Sequence, residues 1–170
     1  MKRVIFTTLF CCANLWAAPL ALVAKSQGSG ASCKDLVSGK TFPIGMGDLI
    51  PENCQLTTDS LSALQIRYVD GMAEVAIQPA SILELSANNT EAGLRKQVRV
   101  LAGSCIFSTP AGGGMLVVDA GTFRASLNAQ QTLHVKSIGP NQLRLEGSTM
   151  IQVVNLTNGT TVSLPIGNTP

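Results

Sequence analysis

Aromatic side chains are scarce in this chain, 4% of 170 residues, and charged ones reach only 13%. Soluble domains usually carry roughly 25% charge. The single tryptophan is Trp16 and the single tyrosine is Tyr68, whose place in an alternating run puts it on a buried phase. Carbohydrate platforms built from exposed aromatic rings are therefore disfavoured. Histidine is nearly missing too. With His134 alone and no CxxC pair, a closed zinc site lacks ligands, and a thioredoxin-type redox pair is excluded. A Ser-His-Asp apparatus would have to use His134, yet no GxSxG elbow is present. In "TLHVKS" this histidine alternates with Leu133 and reads as an ordinary solvated or packed strand residue. No block of like charge marks a disordered tail. Beyond residue 24 no segment keeps a 3.6-residue apolar period over three turns, which argues against helices.

What is present begins with "MKRVIFTTLFCCANLWAAPLALVA": Lys2 and Arg3, an apolar run from Val4 to about Trp16, then small residues. This is the layout of a secretory signal peptide. Cleavage is expected after Ala24, with a cut near Ala18 as the alternative. A retained anchor over Val4 to Ala24 is weakened by Asn14 and Pro19, and lipid attachment by the large residues preceding Cys11 and Cys12. Removing residues 1–24 takes away Lys2 and Arg3 and no acid, leaving ten bases against ten acids. Without a basic surplus, nucleic acid is not an expected partner.

Cys33, Cys54 and Cys105 remain after such a cut. In an oxidising compartment Cys33 and Cys54 can pair, closing a loop of about twenty residues at roughly 3 kcal/mol in the chain-entropy model. The alternative is three buried thiols. Cys105, in "AGSCIFS", is expected to pack as a small hydrophobe.

The polar "KSQGSGASCKD" reads as a flexible lead-in over residues 25–35, followed by one domain over 36–170. From Leu36 onward, short apolar runs are broken every eight to twelve residues by turn signals, the pattern of an all-β sandwich or roll of short antiparallel strands. "SALQIRYV" sets Leu64, Ile66 and Tyr68 against Gln65 and Arg67, and "MAEVAIQP" returns with Val75 and Ile77. Asp70-Gly71 between them, and Asn158-Gly159 in "NLTNGTTVSL", are two-residue hairpin signals of the type I′ kind, with φ > 0 at both positions. "SILEL" and "KQVRVLAG" are expected as strands separated by the polar "SANNTEAG". "GTFRASLN" admits a helix, but Phe123, Ala125 and Leu127 at alternate positions favour a strand.

Between Ser38 and Ser86 the residues Gly47-Asp48, Thr58, Ser62-Ala63, Asp70-Gly71, Pro79, Ser81, Leu83 and Leu85 form a pattern that resembles the FecR domain of bacterial envelope proteins. "VRVLAGSCIFSTP", with Gly103, is similar to that family's following strand, so the likeness runs over about 37–110. Asp59 stands where the family commonly has glycine. The resemblance implies an extracytoplasmic β domain that senses or scaffolds and is not an enzyme. It does not carry over a sigma-factor role, since the cytoplasmic segment for that has no counterpart here.

The remaining signals are bland. The carboxylates, among them Asp48, Glu74, Glu84, Asp119 and Glu146, sit at turns or on polar strand phases, and no DxDxDG run offers calcium ligands. "AGGGM" at 111–115 lacks the Lys-Ser/Thr of a P-loop and reads as a loop between strands, the segment expected to move. Asn88, Asn155 and Asn158 head N-x-Ser/Thr triplets that read as chance matches. Lys136 and Arg144 look like edge protection. No catalytic residue, metal or cofactor is expected. The chain is read as a periplasmic or secreted, non-catalytic scaffold, sensor or interaction module, partnered by an envelope protein or a peptide at a sheet edge. The alternatives are a glycan-active hydrolase using paired carboxylates and a self-assembling surface subunit.

Overall fold

The computed structural model describes residues 19–90, 93–139, 142–148 and 150–164. Residues 1–18 of the leader expected to run to Ala24 lie outside them. The described chain is all β, and its strands form two sheets facing across one core. Sheet A contains β1 (Ala21–Gln27), β4 (Leu49–Ile50), β6 (Ala63–Tyr68), β7 (Glu74–Ile77), β10 (Ser104–Ser108), β13 (Thr132–Gly139) and β14 (Gln142–Gly147), in the order β14-β13-β10-β7-β6-β1-β4. Sheet B contains β2 (Ala31–Asp35), β3 (Thr41–Pro43), β5 (Cys54–Thr58), β8 (Ile82–Thr90), β9 (Gly93–Ala102), β11 (Leu116–Ala120), β12 (Phe123–Leu127), β15 (Ile151–Asn155) and β16 (Thr161–Leu164). Its order is β16-β15-β12-β11-β9-β8-β5-β2-β3. The chain thus winds from one end of the sandwich to the other, laying one or two strands in each sheet before crossing. Every pairing is antiparallel except β9 with β11, which are parallel because β10 intervenes in the opposite sheet.

Alternation explains the pleat. Leu64, Ile66, Tyr68, Val75, Ile77, Phe107, Leu133 and Val135 point inward from sheet A. Cys33, Leu56, Leu83, Leu85, Val98, Leu116, Val118, Leu127 and Ile151 meet them from sheet B. At 25 cal/mol per Å2 of apolar surface, each fully buried large side chain contributes roughly 1.5–3 kcal/mol. Cys33 and Cys54 are bonded to one another across the adjacent β2 and β5, with Cα atoms 6.1 Å apart and both fully buried. A disulfide is compatible with export to an oxidising compartment. Cys105 is a buried free thiol whose pKa is pushed up to about 12 by burial.

The N-terminal boundary differs from expectation. The bond after Ala24 lies inside β1, and residues 25–35 form the rest of β1 and all of β2, not a flexible lead-in. Leu20, Ala21 and Val23 are buried, and Leu20 N donates to Ile50 O at 2.8 Å. The apolar letters of the leader run without a break into those of the strand, so composition alone does not separate them. The cut near Ala18 would leave β1 whole.

Two further differences concern turns. Gly71 and Gly159 have φ of 70° and 72°, but Asp70 and Asn158 do not take positive φ, so neither turn is type I′. Tyr68 N donates to Ala73 O and Asn155 N to Thr160 O, closing longer loops. The two polar side chains cap the amides two residues on: Asp70 Oδ1 accepts from Met72 N and Asn158 Oδ1 from Thr160 N. The separator "SANNTEAG" is also mostly strand, because β8 and β9 run on as one long hairpin through their polar residues.

Candidate functional site

Thr58, Ser62, Ser81 and Gly103 stand where the chain crosses between sheets. Thr58 Oγ1 accepts from Ser81 N at 3.0 Å and donates to Gln78 O at 2.8 Å. Ser81 Oγ accepts from Ser104 N at 3.0 Å and donates to Ser104 O at 3.2 Å. Ser62 Oγ accepts from Gly30 N at 2.8 Å. Thr58, Ser62 and Ser81 are all buried. Here hydroxyls satisfy backbone groups that the crossovers take out of the ladders, which is a structural task. The glycines of "AGGGM" serve packing as well. A Cβ on Gly113 would lie 2.7 Å from Met72 O, and one on Gly114 would lie 2.9 Å from Met72 Sδ.

Surface chemistry falls into three places. On the outer face of sheet B, a row crosses six strands in register: Lys34, Gln55, Glu84, Arg99, Asp119 and Arg124. Asp119 is buried. It accepts from Arg124 Nε and NH2 at 2.7 Å each and from Gln97 Nε2 at 2.6 Å. Burial alone would raise its carboxyl; the bonds and charge of Arg124, with Gln97 and Arg99, outweigh this and hold it below the ordinary value. A shallow hollow of 390 Å3 lies beside this row, with Leu101 and Leu156 among its lining residues. Its charges are already answered within the sheet.

The second place lies at the end of the core. The Lys96 side chain points inward from β9, is 7% exposed, pairs with Asp70 of the β6–β7 loop and stands 5.2 Å from the Tyr68 ring centre. The Tyr68 hydroxyl has no partner among the described residues, and burial, then the Asp70 charge, raises its pKa. This cation ties sheet B to sheet A.

The third is on the outer face of sheet A. His134 Nε2 is 3.1 Å from Ser104 Oγ, and its Nδ1 is 3.9 Å from Glu146 Oε2. Arg144 Nε is 2.5 Å from Glu146 Oε1. His134, Lys136, Arg144 and Glu146 line a hollow of 210 Å3. The order serine, histidine, carboxylate is that of a nucleophile relay. Its setting opposes hydrolysis. Ser104 lies on an interior strand, and its own N–H is bonded to Ser81 Oγ and so is not free to receive an oxyanion.

The sheet edges complete the inventory. β3 has three residues and ends on Pro43, β4 has two, and β14 carries Arg144 and Glu146, all devices that blunt an edge. Arg144 does stand on an edge, whereas Lys136 is one strand inside it. β16, Thr-Val-Ser-Leu, has neither charge nor proline, and Thr161, Val162 and Ser163 are exposed.

Sequence reading placed the disulfide pair and both hairpins. It missed the Ser104–His134–Glu146 line and the Lys96 tie, since neither has a local signature. Among the described residues, no group of three or more His, Cys, Asp and Glu is placed to hold a metal ion, and no helix is long and apolar enough to cross a membrane. Comparison of the chain with family models, curated proteins and solved structures finds no match in any of the three.

Proposed function

We propose that this is a FecR-like, non-catalytic β domain of the bacterial envelope, periplasmic or secreted, that takes an extended segment of another envelope protein onto β16. The observation that carries the reading is the contrast among the four edges. Three are short, proline-bearing or charged, and β16 carries none of these devices and has no strand beyond it among the described residues. The bond from Asn155 N to Thr160 O sets the phase of the β15–β16 ladder. By alternation, Val162 exchanges bonds with Val153, while the amides of Thr161 and Ser163 face outward. An added strand gains affinity from main-chain bonds to such amides and specificity from alternate side chains. The disulfide, the expected leader and the blocked surroundings of Ser104 support an exported binding role over a hydrolytic one.

Crosslinking in the native envelope, followed by identification of captured proteins, tests the reading. Ser163→Pro removes one outward donor from an edge position that tolerates proline. It should abolish capture while leaving the melting temperature within a few degrees. Capture that persists in this variant refutes docking at β16. Capture of the protein's own copies alone favours the self-assembling alternative.

A further inference from the structure

Lys136 of β13 and Arg144 of β14 stand directly opposite one another. Like charges in register destabilise a sheet. Among the pairings of the described residues no other like-charge pair occurs. Elsewhere opposite signs meet: Arg67 faces Glu74, Glu84 faces Arg99, and Asp119 faces Arg99 and Arg124. Glu146 answers Arg144, but Lys136 has no ion-pair partner among the described residues. The surplus cation lies in the hollow that His134 and Arg144 also line, with Ser104 opposite Lys136 on β10.

We propose that this end of sheet A binds a carboxylate from outside the chain, seated between Lys136 and Arg144 with the Ser104 hydroxyl as third donor. Lys136 and Arg144 set against Glu146 leave the cluster with one unanswered positive charge.

The groups facing His134 are Glu146 and Arg144 from β14, Lys136 and Thr132 on its own strand, and Ser104 and Ile106 from β10. β10 brings no charge. The nearest from β7 is Glu74, held by Arg67 and Gln65. The site is made of outward side chains of sheet A, whereas the β16 reading rests on main-chain amides of sheet B, so the two readings stand or fall separately.

Titration of 15N-labelled protein with acetate, and with a blocked Gly-Glu-Gly peptide, tests this by NMR. Saturable shifts are expected at residues 104, 134, 136, 144 and 146, weakening as salt is raised because the attraction is between charges at an exposed site. Tighter binding of the peptide than of acetate identifies a protein side chain as the natural source; equal binding identifies a free acid. Lys136→Gln should lose binding with the rest of the spectrum unchanged, and Arg144→Gln serves as the second variant. Glu146→Gln, which removes the competing carboxylate, should bind more tightly. Shifts that never saturate, or that survive in Lys136→Gln, overturn the proposal.

Discussion

A protein beginning at Lys25 should fail to hold this fold, and one beginning at Pro19 should keep it. The shorter form loses Leu20, Ala21 and Val23, which are 3%, 0% and 1% exposed. Burial of the leucine and valine contributes about 1.5–3 kcal/mol each. Uncovering Ile50, Ile66 and Tyr68, which flank them in the sheet, adds to this. The loss also strands four backbone partners. Ile50 O and Asp48 O lose the amides of Leu20 and Val23, and the Gly47 and Val69 amides lose the carbonyls of Val23 and Leu20. At about 1 kcal/mol for each broken bond, the total is on the order of 8 kcal/mol. That is as large as the whole stability of a typical domain, about 5–15 kcal/mol. β4 pairs with β1 alone and would be released with it. The assay is thermal melting by far-ultraviolet circular dichroism of both forms, oxidised, with N-terminal sequencing of the exported protein. A cooperative melt of the Lys25 form within a few degrees of the Pro19 form would refute the reasoning, as would a natural N-terminus at Lys25.

Three further outcomes are expected. Gly103 has φ +85°, and a Cβ there would lie 2.5 Å from Ser81 Cα and 2.6 Å from Ala80 O; Gly103→Ala should cost about 3 kcal/mol or more by urea unfolding, because both obstacles are backbone. Asp70→Asn leaves the buried Lys96 cation unpaired and should cost about 3 kcal/mol, whereas Lys96→Met leaves only a half-exposed carboxylate and should cost less than 1 kcal/mol; equal losses would mean the pair does not bridge the sheets. Asp119 has a depressed pKa in the fold, so its stabilisation is present above the unfolded value near 3.9 and is lost as pH falls through the folded value. Asp119→Asn should cost about 2 kcal/mol at pH 7 and flatten the fall in melting temperature between pH 5 and 2.

Period-two alternation made most strands legible, because an inward apolar face is written directly in the residues. Leu64-Ile66-Tyr68 and Val75-Ile77 needed no other information. β2 was harder to see, since its inward residues are Ala31 and Cys33, small side chains in a Gly/Ser-rich context. β8 and β9 outran their apolar stretch because a hairpin ladder extends through polar residues when each strand has the other to bond. The turn types escaped for a different reason. Asp and Asn at these positions cap an amide with their side chains, an option that the Asp-Gly and Asn-Gly letters do not distinguish from positive φ. The His134 cluster depends on register. Ser104 and His134 are thirty residues apart and meet only because β11 and β12 are laid in the other sheet before β13 returns beside β10.

The same winding separates what the crossover residues report from what the outer surface offers. Thr58, Ser62, Ser81 and Gly103 stand at crossovers, where the chain leaves one ladder for the other and its backbone groups need a hydroxyl or a missing Cβ. Any chain wound in this order meets that need, whatever it binds, so such residues speak for architecture. The outward residues answer to no such requirement. On sheet B Glu84, Arg99, Asp119 and Arg124 are matched in sign from strand to strand, which adds cross-strand attraction. On sheet A the matching stops at β13 and β14, and in sheet B the edge protection stops at β16. Both departures fall in the C-terminal strands, beyond the stretch that carries the likeness, and it is there that this chain departs from what folding alone would select.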